Sequence, residues 1–416
     1  MSEDKETSLL GRKFSRRTAL TLAGTFGAGM ALGGGGALSA RELAEGDQTV
    51  EFYGEHQAGI ATPQQDRLHF AAFDLTVSKA EEIRDLMRAW SDAAARMCAG
   101  KSVGGGNDAF VPPEDTGEAQ DLTAGRLTVT FGFGPTLFEK DGKDRFGLAS
   151  RKPEALQEIP DLPGDNLDPE LSGGDVCVQA CADDPQVAFH AVRNLARIGR
   201  GAAVIRWSQL GFGRTSSTSS AQKTPRNLMG FKDGTNNIRA EDEDLMDNYV
   251  WVREGPAWMQ SGTYLVARRI RMLIEIWDRS PLLEQEQTIG RHRASGAPLG
   301  KEDEYDKVDL EVKGPDGLPL IPMDSHIRLA RKDQRERILR RGYSFTDGMD
   351  SKTGQLDAGL FFISFQRDPH RQFVPLQRRL GQNDRLTEYI QHTGSAVFAC
   401  PPGVRRGGFA GESLLA

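Results

Sequence analysis

The run GFKDGTNN at residues 230–237 holds the residue types best suited to chemistry in this chain. It places one carboxylate, Asp233, in a glycine-flanked turn that is followed by hydroxyl and amide side chains. A carboxylate in such a position can accept and return a proton during a reaction. An Asp-Gly pair is also a common turn signal, in which the acid only accepts backbone hydrogen bonds. The local sequence leaves both interpretations open.

Two further segments contain side chains that could take part in a reaction, and both lie well after this run in the sequence. They are DSHIRLA at 324–330 and RRGYSF at 340–345. The first contains His326, 93 positions after the acid. A histidine ring can bind a metal ion, although a lone histidine is more often structural. The second begins with Arg340 and Arg341, whose permanent charges can stabilise negative charge on an oxygen or take part in ordinary ion pairs. An acid, a histidine and a fixed cation in one site would support proton transfer beside a bound metal.

Taken together, the three segments resemble the active site of the dye-decolorizing peroxidases, which are haem enzymes that use hydrogen peroxide to oxidise a second substrate. The GxxDG pattern of that family is intact at Gly230, Asp233 and Gly234, and DSHIR resembles the segment with its proximal haem ligand. The resemblance implies one haem b (iron protoporphyrin IX) per chain. His326 would be the axial ligand of the iron, and Asp233 the catalytic acid on the open face.

The resemblance also implies which residues surround the haem. Arg340 matches the catalytic distal arginine, with Arg341 left as the alternative. Arg291 resembles the family arginine that meets a haem propionate, a contact that a guanidinium makes well. The resemblance does not identify the partner of the other ring nitrogen of the axial histidine, for which an acid such as Asp309 or Glu311 is a candidate. The implied cofactor-binding residues are His326, Gly234, Thr235, Asn236, Arg291, Arg340 and Phe362.

The implied function is a peroxidase whose partners are hydrogen peroxide and a small-molecule electron donor, such as a dye or a phenol. Surface aromatic residues would relay electrons from bulky donors, with Trp251, Trp258, Trp277 and Tyr343 as the candidates. The sequence is most similar to the exported, iron-related group called deferrochelatase/peroxidase. One alternative is therefore a deferrochelatase, which releases iron from haem and leaves the porphyrin intact, with iron-uptake partners. A second alternative is a non-catalytic exported carrier. Family members also often form homo-oligomers such as dimers.

The N-terminal residues 1–40 have the layout of a twin-arginine signal peptide. Ser15, Arg16 and Arg17 open a basic region, and an apolar, glycine-rich run continues to about Leu38. A transmembrane anchor is the alternative, but the glycines at 33–36 weaken a helix there. We expect export by the twin-arginine machinery to the periplasm or the extracellular space.

The composition excludes some classes of partner. The formal net charge is −7, and the chain has no basic block beyond the signal segment, so it is a poor match for nucleic acid. Hydrophobic residues make up 38% and charged residues 27%, as in an ordinary globular protein. Four cysteines in so long a chain do not suggest a disulfide framework. Cys177 and Cys181 resemble a CxxxC metal pair, but a buried strand explains them better.

The pattern of elements predicts an α+β fold of two tandem ferredoxin-like βαββαβ domains with antiparallel sheets. Alternation predicts strands in the first half at 69–75, 126–132, 175–182 and 203–209, with helices at 79–99 and 185–198. The second half reads as strands at 263–278, 360–366 and 396–400, with helices at 281–288 and 371–391.

The predicted domain boundaries are 41–220 for the N-terminal domain and 221–416 for the C-terminal domain, which would hold the haem. The link between them, residues 213–220, has the serine- and threonine-rich composition of a flexible or surface loop. The long polar stretch at 291–319 has little periodicity, and we expect it to cover part of the site.

Overall fold

The computed structural model describes residues 49–106 and 108–416. The predicted signal peptide at residues 1–40 lies outside the described residues. The strands of the described part are β1 (Arg67–Leu75), β2 (Thr128–Phe133), β3 (Val176–Ala182), β4 (Ala203–Arg214), β5 (Thr263–Met272), β6 (Leu339–Arg340), β7 (Tyr343–Met349), β8 (Leu356–Gln366) and β9 (Ile390–Cys400).

The α-helices of the described part are mostly short. They are α1 (Ala80–Cys98), α2 (Pro135–Phe138), α3 (Pro185–Ile198), α4 (Glu243–Tyr249), α5 (Ile274–Trp277), α6 (Leu282–Ile289), α7 (His326–Ala330), α8 (Phe373–Asn383) and α9 (Glu412–Leu415). Within the ranges given above, none is long and apolar enough to cross a membrane.

The first half packs α1 and α3 against a four-stranded antiparallel sheet in the order β2-β3-β1-β4. The sequence explains both helices. In α1, Ile83, Met87 and Trp90 recur at helical spacing and are fully buried. In α3, Pro185 occupies the first turn, and the Asp184 side chain accepts hydrogen bonds from two backbone N–H groups of that turn. The predicted bounds of α3 are confirmed residue for residue.

The second half repeats the arrangement, with strand order β9-β5-β8-β7. β2 pairs with β9 at Phe133 and Ala399, and β4 pairs with β7. Because β5 also pairs with β8, eight strands close into a ring, and the short β6 precedes β7 in the same register along the same edge of β8. One apolar cluster draws buried side chains from both halves, including Phe70, Phe361 and Phe398. The two halves therefore share a core.

Several predicted bounds in the second half are wrong. The strand predicted at 263–278 ends at Met272, where a short helix follows. The helix predicted at 371–391 ends at Asn383, since Asp384 caps a new 3-10 turn and β9 begins at Ile390. The strand β7 was missed, because after Phe345 its side chains are exposed and do not alternate.

The link at 213–220 is not the surface loop that its composition predicts. The residues from Thr215 to Ser219 are buried, and the hydroxyl groups from Ser216 to Ser219 are hydrogen-bonded inside the protein. The Thr218 hydroxyl donates to the carbonyl of Thr62, and the Ser216 hydroxyl accepts from the backbone N–H of Gly342. Small hydroxyl side chains can be buried at little cost when they are hydrogen-bonded in this way.

The strand interpretation of Cys177 and Cys181 is confirmed, since both lie in β3 and are buried. Burial raises the pKa of the Cys177 thiol well above its usual value, with a smaller contribution from Cys400. A thiol with a raised pKa stays protonated and behaves as a small apolar side chain.

Candidate functional site

A cavity of about 260 Å³, measured as the space open to the centres of water molecules, lies in the second half of the chain. Every residue predicted for the site lines this cavity, although the sequence distributes them over more than a hundred positions. They are Asp233, Gly234, Thr235, Asn236, Arg291, His326, Arg340 and Phe362.

Two apolar walls give the cavity its shape. One wall is the sheet, where Leu360 and Phe362 of β8 lie beside Ile270 of β5. The other includes Leu376 and Leu380 of α8. Phe362 also packs on Phe373, the first residue of α8, with ring centroids 5.9 Å apart. Such walls suit a ligand with a broad apolar surface.

His326 is the first residue of α7, and its ring is anchored by an acid that the sequence did not predict. Its Nδ1 lies 2.6 Å from Oδ2 of Asp384, whose other oxygen accepts the backbone N–H of Leu386 at 2.9 Å. Burial lowers the pKa of His326, but the charge and hydrogen bond of Asp384 outweigh it, so the pKa is raised. Nε2 has no hydrogen-bond partner within the described part of the chain.

The acids predicted to orient His326 are therefore wrong. Asp309 and Glu311 are both exposed, and the carboxylate of Asp309 accepts the backbone N–H of Glu311 instead. Asp384 was missed because it lies 58 positions after His326. The only local signal for it is that an Asp after a helix commonly caps the next turn.

Asp233 and Arg340 form an ion pair on the cavity wall. Nη1 of Arg340 donates to Oδ1 of Asp233 at 2.6 Å. The second oxygen, Oδ2, is 3.4 Å from the amide nitrogen of Asn227, which is a long contact. Asp233 thus has one firmly held oxygen and one that a ligand can reach.

The choice between Arg340 and Arg341 is decided by the direction of the side chains. Arg340 lines the cavity, whereas Arg341 is fully buried outside it. Arg341 donates to the carbonyl of Thr62 and to the amide oxygen of Gln65. Adjacent residues in an extended segment point to opposite sides, so only one of the two can face the cavity.

Asn237 joins the acid-bearing turn to the strand that carries Arg340. Its amide group exchanges two hydrogen bonds with the backbone of Arg340, both at 2.8 Å, and its Nδ2 also donates to the carbonyl of Ser217 at 3.0 Å. Sequence reasoning gave Asn237 no role. Its buried amide fixes the distance between the two members of the Asp233–Arg340 pair.

The backbone conformation and the close packing at position 234 both favour glycine. Its φ is +98°, and a Cβ at this position would lie 2.9 Å from the Cα of Ser216. The close approach that requires glycine is therefore to the buried link between the two halves. This packing holds the turn with Asp233 against the core.

The polar stretch after Arg291 contacts the acid-bearing turn through Glu304. The Glu304 carboxylate pairs with Lys232 and accepts the hydroxyl of Thr235 at 3.0 Å. The Glu304 carbonyl accepts from Arg291 at 3.0 Å. Burial is the main cause that lowers the pKa of Arg291 to about 10, and the nearby charge of Arg331 adds to it.

The aromatic residues proposed as surface electron relays are all buried. Trp251, Trp258, Trp277 and Tyr343 are at most 5% exposed. The prediction of a surface position is wrong for all four, because each packs in one of the apolar clusters or hydrogen-bonds inside the protein.

Two family models match the chain one after the other. The model described as "Dyp-type peroxidase, N-terminal" matches residues 57–213, and "Dyp-type peroxidase, C-terminal" matches residues 224–405. The chain belongs to the Dyp-type peroxidase family. It is thus a member of a family of haem-dependent oxidoreductases, as the three motifs predicted.

Similar proteins of the family include two named "Deferrochelatase". The one from Yersinia pseudotuberculosis serotype I (strain IP32953) is 37% identical over 420 residues, which cover 96% of this chain and 95% of the relative. The one from Escherichia coli (strain K12) is 38% identical over 374 residues, covering 88% and 86%.

Solved structures of Dyp-type peroxidases share the fold over nearly the whole chain. DtpA from Streptomyces lividans, in an oxyferrous/water mixed complex, is 42% identical with a TM-score of 0.82, covering 90% of this chain and 99% of that one. A Dyp-type peroxidase from Cellulomonas bogoriensis is 39% identical with a TM-score of 0.79, covering 89% and 99%.

The cavity fits the haem that the family uses. Its apolar walls match the faces of a porphyrin, and His326 presents a free ring nitrogen. The basic side chains of the lining outnumber the acids, as two propionates would require. The basic residues are Lys232, Arg268, Arg291, Arg331, Arg337 and Arg340, and the acids are Asp233, Asp333, Glu336 and Asp384.

Proposed function

We propose that this chain is a haem b peroxidase with one haem per chain, in which hydrogen peroxide oxidises a small reducing substrate such as a dye or a phenol. The observation that carries the proposal is that one cavity contains two different polar groups of side chains. It combines His326, anchored by Asp384, with the Asp233–Arg340 ion pair. The first pair is suited to binding the haem iron, and the second pair is suited to proton transfer.

The haem iron, when bound, supplies the redox chemistry between peroxide and the donor. His326 would hold it, since its Nε2 has no hydrogen-bond partner among the described residues, and the hydrogen bond of Nδ1 to Asp384 would fix the tautomer and orientation of the ring. Since Asp384 is buried, its charge acts at short range on the imidazole.

Asp233 is proposed to move a proton. Its free oxygen, Oδ2, would accept the proton of one peroxide oxygen and deliver it to the other as the O–O bond breaks; with two electrons and two protons from the reducing substrate, both oxygens of the peroxide end as water. General acid–base transfer of this kind contributes a rate factor of about 10²–10⁴. Arg340 keeps the carboxylate in place through Oδ1 and stabilises negative charge on the departing oxygen.

The remaining predicted residues have binding roles in this proposal. Arg291 pairs with a haem propionate, and its position is set by two backbone carbonyls, those of Gly296 and Glu304. Phe362 provides an apolar surface for the macrocycle. Gly234, Thr235 and Asn236 line the cavity beside the acid and would contact the haem.

We further propose that each half is a ferredoxin-like βαββαβ unit, with domains at 41–220 and 221–416 and the haem in the second. The repeated strand order supports this proposal, since both halves place their last strand beside the first and their third strand between the first and the second. The gap between the two matched family models, residues 214–223, supports the boundary.

The proposed cellular setting follows from the N-terminal sequence. The SRR run and the apolar segment after it support export by the twin-arginine machinery to the periplasm or the extracellular space. Assembly as a homo-oligomer such as a dimer and contact with iron-uptake partners belong to the same proposal and rest on the resemblance alone.

Removal of iron from haem is the second candidate function, and the names of the similar proteins from Yersinia pseudotuberculosis and Escherichia coli favour it. It would use the same cavity and the same axial histidine. The two functions are separated by their products, since a deferrochelatase leaves metal-free porphyrin, which fluoresces, and a peroxidase leaves oxidised donor.

The test of the proposed function is the visible spectrum of the purified protein, together with peroxide-dependent oxidation of a phenol. We expect a Soret band that His326→Ala removes, and we expect Asp233→Asn to keep the haem but lose turnover. A protein that never takes up haem, or one that keeps its Soret band in His326→Ala, would contradict the site.

A further inference from the structure

The side chain of Asn227 lines the cavity beside Asp233, and the proposed function gives it no role. Both residues belong to one tight turn. The backbone N–H of Asn227 donates to the carbonyl of Phe231 at 3.0 Å, and its carbonyl accepts the N–H of Gly230 at 2.9 Å. The N–H of Asp233 then donates to the carbonyl of Pro225 at 2.9 Å. The turn therefore places an amide side chain next to the acid.

Two backbone donors fix the orientation of the Asn227 amide. Its Oδ1 accepts the N–H groups of Met229 at 3.1 Å and of Phe231 at 3.3 Å. Only the oxygen of an amide can accept such bonds, so the NH2 group lies on the other side, with Nδ2 3.4 Å from Oδ2 of Asp233. The donor of Asn227 is therefore directed at the carboxylate oxygen that Arg340 does not hold.

Nδ2 of Asn227 and Oδ2 of Asp233 present a donor and an acceptor side by side on the cavity wall. At 3.4 Å the contact between them is too long for a strong hydrogen bond, and Nδ2 makes no other hydrogen bond within residues 49–106 and 108–416. A hydroxyl group matches such a pair, because its oxygen accepts one hydrogen bond while its hydrogen is donated in another. The O–H group of a hydroperoxide has this pattern.

We propose that Asn227 is a further catalytic residue, which donates a hydrogen bond to the peroxide oxygen whose proton Asp233 accepts. In this step one O–H bond breaks on the peroxide and one forms at Oδ2 of Asp233, with no transfer of electrons. The oxygen gains negative charge as the proton leaves, so a fixed N–H donor lowers the barrier. The inference rests on the proposed peroxidase function and deepens it, because it assigns a further side chain to the binding of peroxide.

The charged groups around the acid have to stay constant when the role of Asn227 is tested by varying the pH. They are Arg340 of β6, His326 of α7 with its partner Asp384, Arg291, the ion pair of Lys232 with Glu304, and Arg226 and Arg293, which lie against Gly230. Substitutions at position 227 leave all of these in place. A pH-dependent difference between variant and wild type therefore reports on position 227.

Two substitutions remove the donor in different ways. Asn227→Asp keeps the size of the side chain and an oxygen for the N–H groups of Met229 and Phe231, but it replaces the NH2 group with a carboxylate oxygen. Asn227→Leu removes the donor without adding charge. Asn248→Asp is the matched control, because Asn248 is exposed on α4 and does not line the cavity. Urea denaturation of all three variants checks that the fold is kept.

The first measurement is the second-order rate constant for the reaction of the haem-loaded protein with hydrogen peroxide, followed by stopped-flow absorbance at the Soret band. We expect both substitutions at Asn227 to lower it about tenfold at neutral pH, as the loss of one hydrogen bond to a developing charge does. Two neighbouring carboxylates share a proton at acidic pH, so Asn227→Asp regains a donor there and approaches the wild-type rate. Asn227→Leu does not recover.

The second measurement does not depend on turnover. Fluoride on the ferric haem iron accepts hydrogen bonds from nearby donors, whereas the nitrogen through which imidazole binds the iron has no free lone pair. Spectral titration of Asn227→Leu should therefore show an affinity for fluoride that is about tenfold lower, with the affinity for imidazole little changed.

The inference is overturned if both variants match Asn248→Asp in both measurements, or if the rate of Asn227→Asp relative to wild type does not change with pH. Failure of the proposed function looks different. Wild-type protein would then bind haem without reacting with peroxide, and the affinity for fluoride would still decide whether Asn227 donates a hydrogen bond into the cavity.

Discussion

The contact between His326 and Asp384 has the largest consequence at the scale of single residues. A carboxylate on Nδ1 increases electron donation by the ring, which stabilises ferric over ferrous iron. We expect Asp384→Asn to keep its haem, to raise the reduction potential and to lower turnover about 10–100-fold. Spectroelectrochemical titration measures the first effect and steady-state kinetics the second. Asp309→Asn is the control, and an unchanged potential in Asp384→Asn would contradict the role of the acid.

Substitutions at the two neighbouring arginines should have different effects, with Arg340 affecting activity and Arg341 affecting stability. Arg340→Met removes the partner of Asp233 on the cavity wall, so we expect a loss of turnover with little change in the free energy of unfolding. Arg341→Met leaves the buried amide oxygen of Gln65 without this donor, which costs about 1–3 kcal/mol, whereas the carbonyl of Thr62 keeps the hydroxyl of Thr218. Urea denaturation and phenol oxidation on both variants test this. The reverse pattern would exchange the two roles.

The sequence predicted the residue types of the site better than their partners. His326, Asp233 and Arg340 were found because each lies in a recognisable short run. Asp384 was not found, because contacts across 58 positions leave no local pattern. The choice between Arg340 and Arg341 also needed the structure, since it depends on which side of an extended segment faces the cavity.

At the scale of elements, the polar stretch after Arg291 acts on the acid-bearing turn through Glu304. Glu304→Gln should lower turnover while the haem content stays the same, because Lys232 and Thr235 lose a charged partner on either side of Asp233. A double-mutant cycle with Lys232→Met should show a coupling of about 0.5–3 kcal/mol. Glu302→Gln, exposed on the same stretch, is the control, and strict additivity would show that the contact does not position the turn.

Elements with a strong apolar period were predicted well, and elements defined by their neighbours were not. The helix α3 carries its own cap and its own apolar face, so its bounds follow from local rules. By contrast, β7 is a strand because β4 and β8 pair with it, and its polar C-terminal part gives no alternation. The link at 215–219 appears flexible by composition, yet its hydroxyl groups find partners that only the folded chain provides.

At the scale of the whole molecule, the shared core predicts that the two halves unfold together. The cluster around Phe70, Phe361 and Phe398 belongs to both, so neither half can lose its structure alone. We expect one calorimetric transition, and Phe70→Ala should lower the free energy of unfolding by about 3–5 kcal/mol while keeping a single transition. Two separate transitions in haem-free protein would show that the halves are independent.

The closed ring of strands also limits how the protein can be loaded and opened. Because β2 pairs with β9 and β4 pairs with β7, strand pairing joins the two halves at two places within the described residues. A large planar ligand then reaches the cavity either after the ring has closed or before the last strand pairs form. The topology of the sheet therefore leaves two orders of maturation, with the ligand bound before or after ring closure.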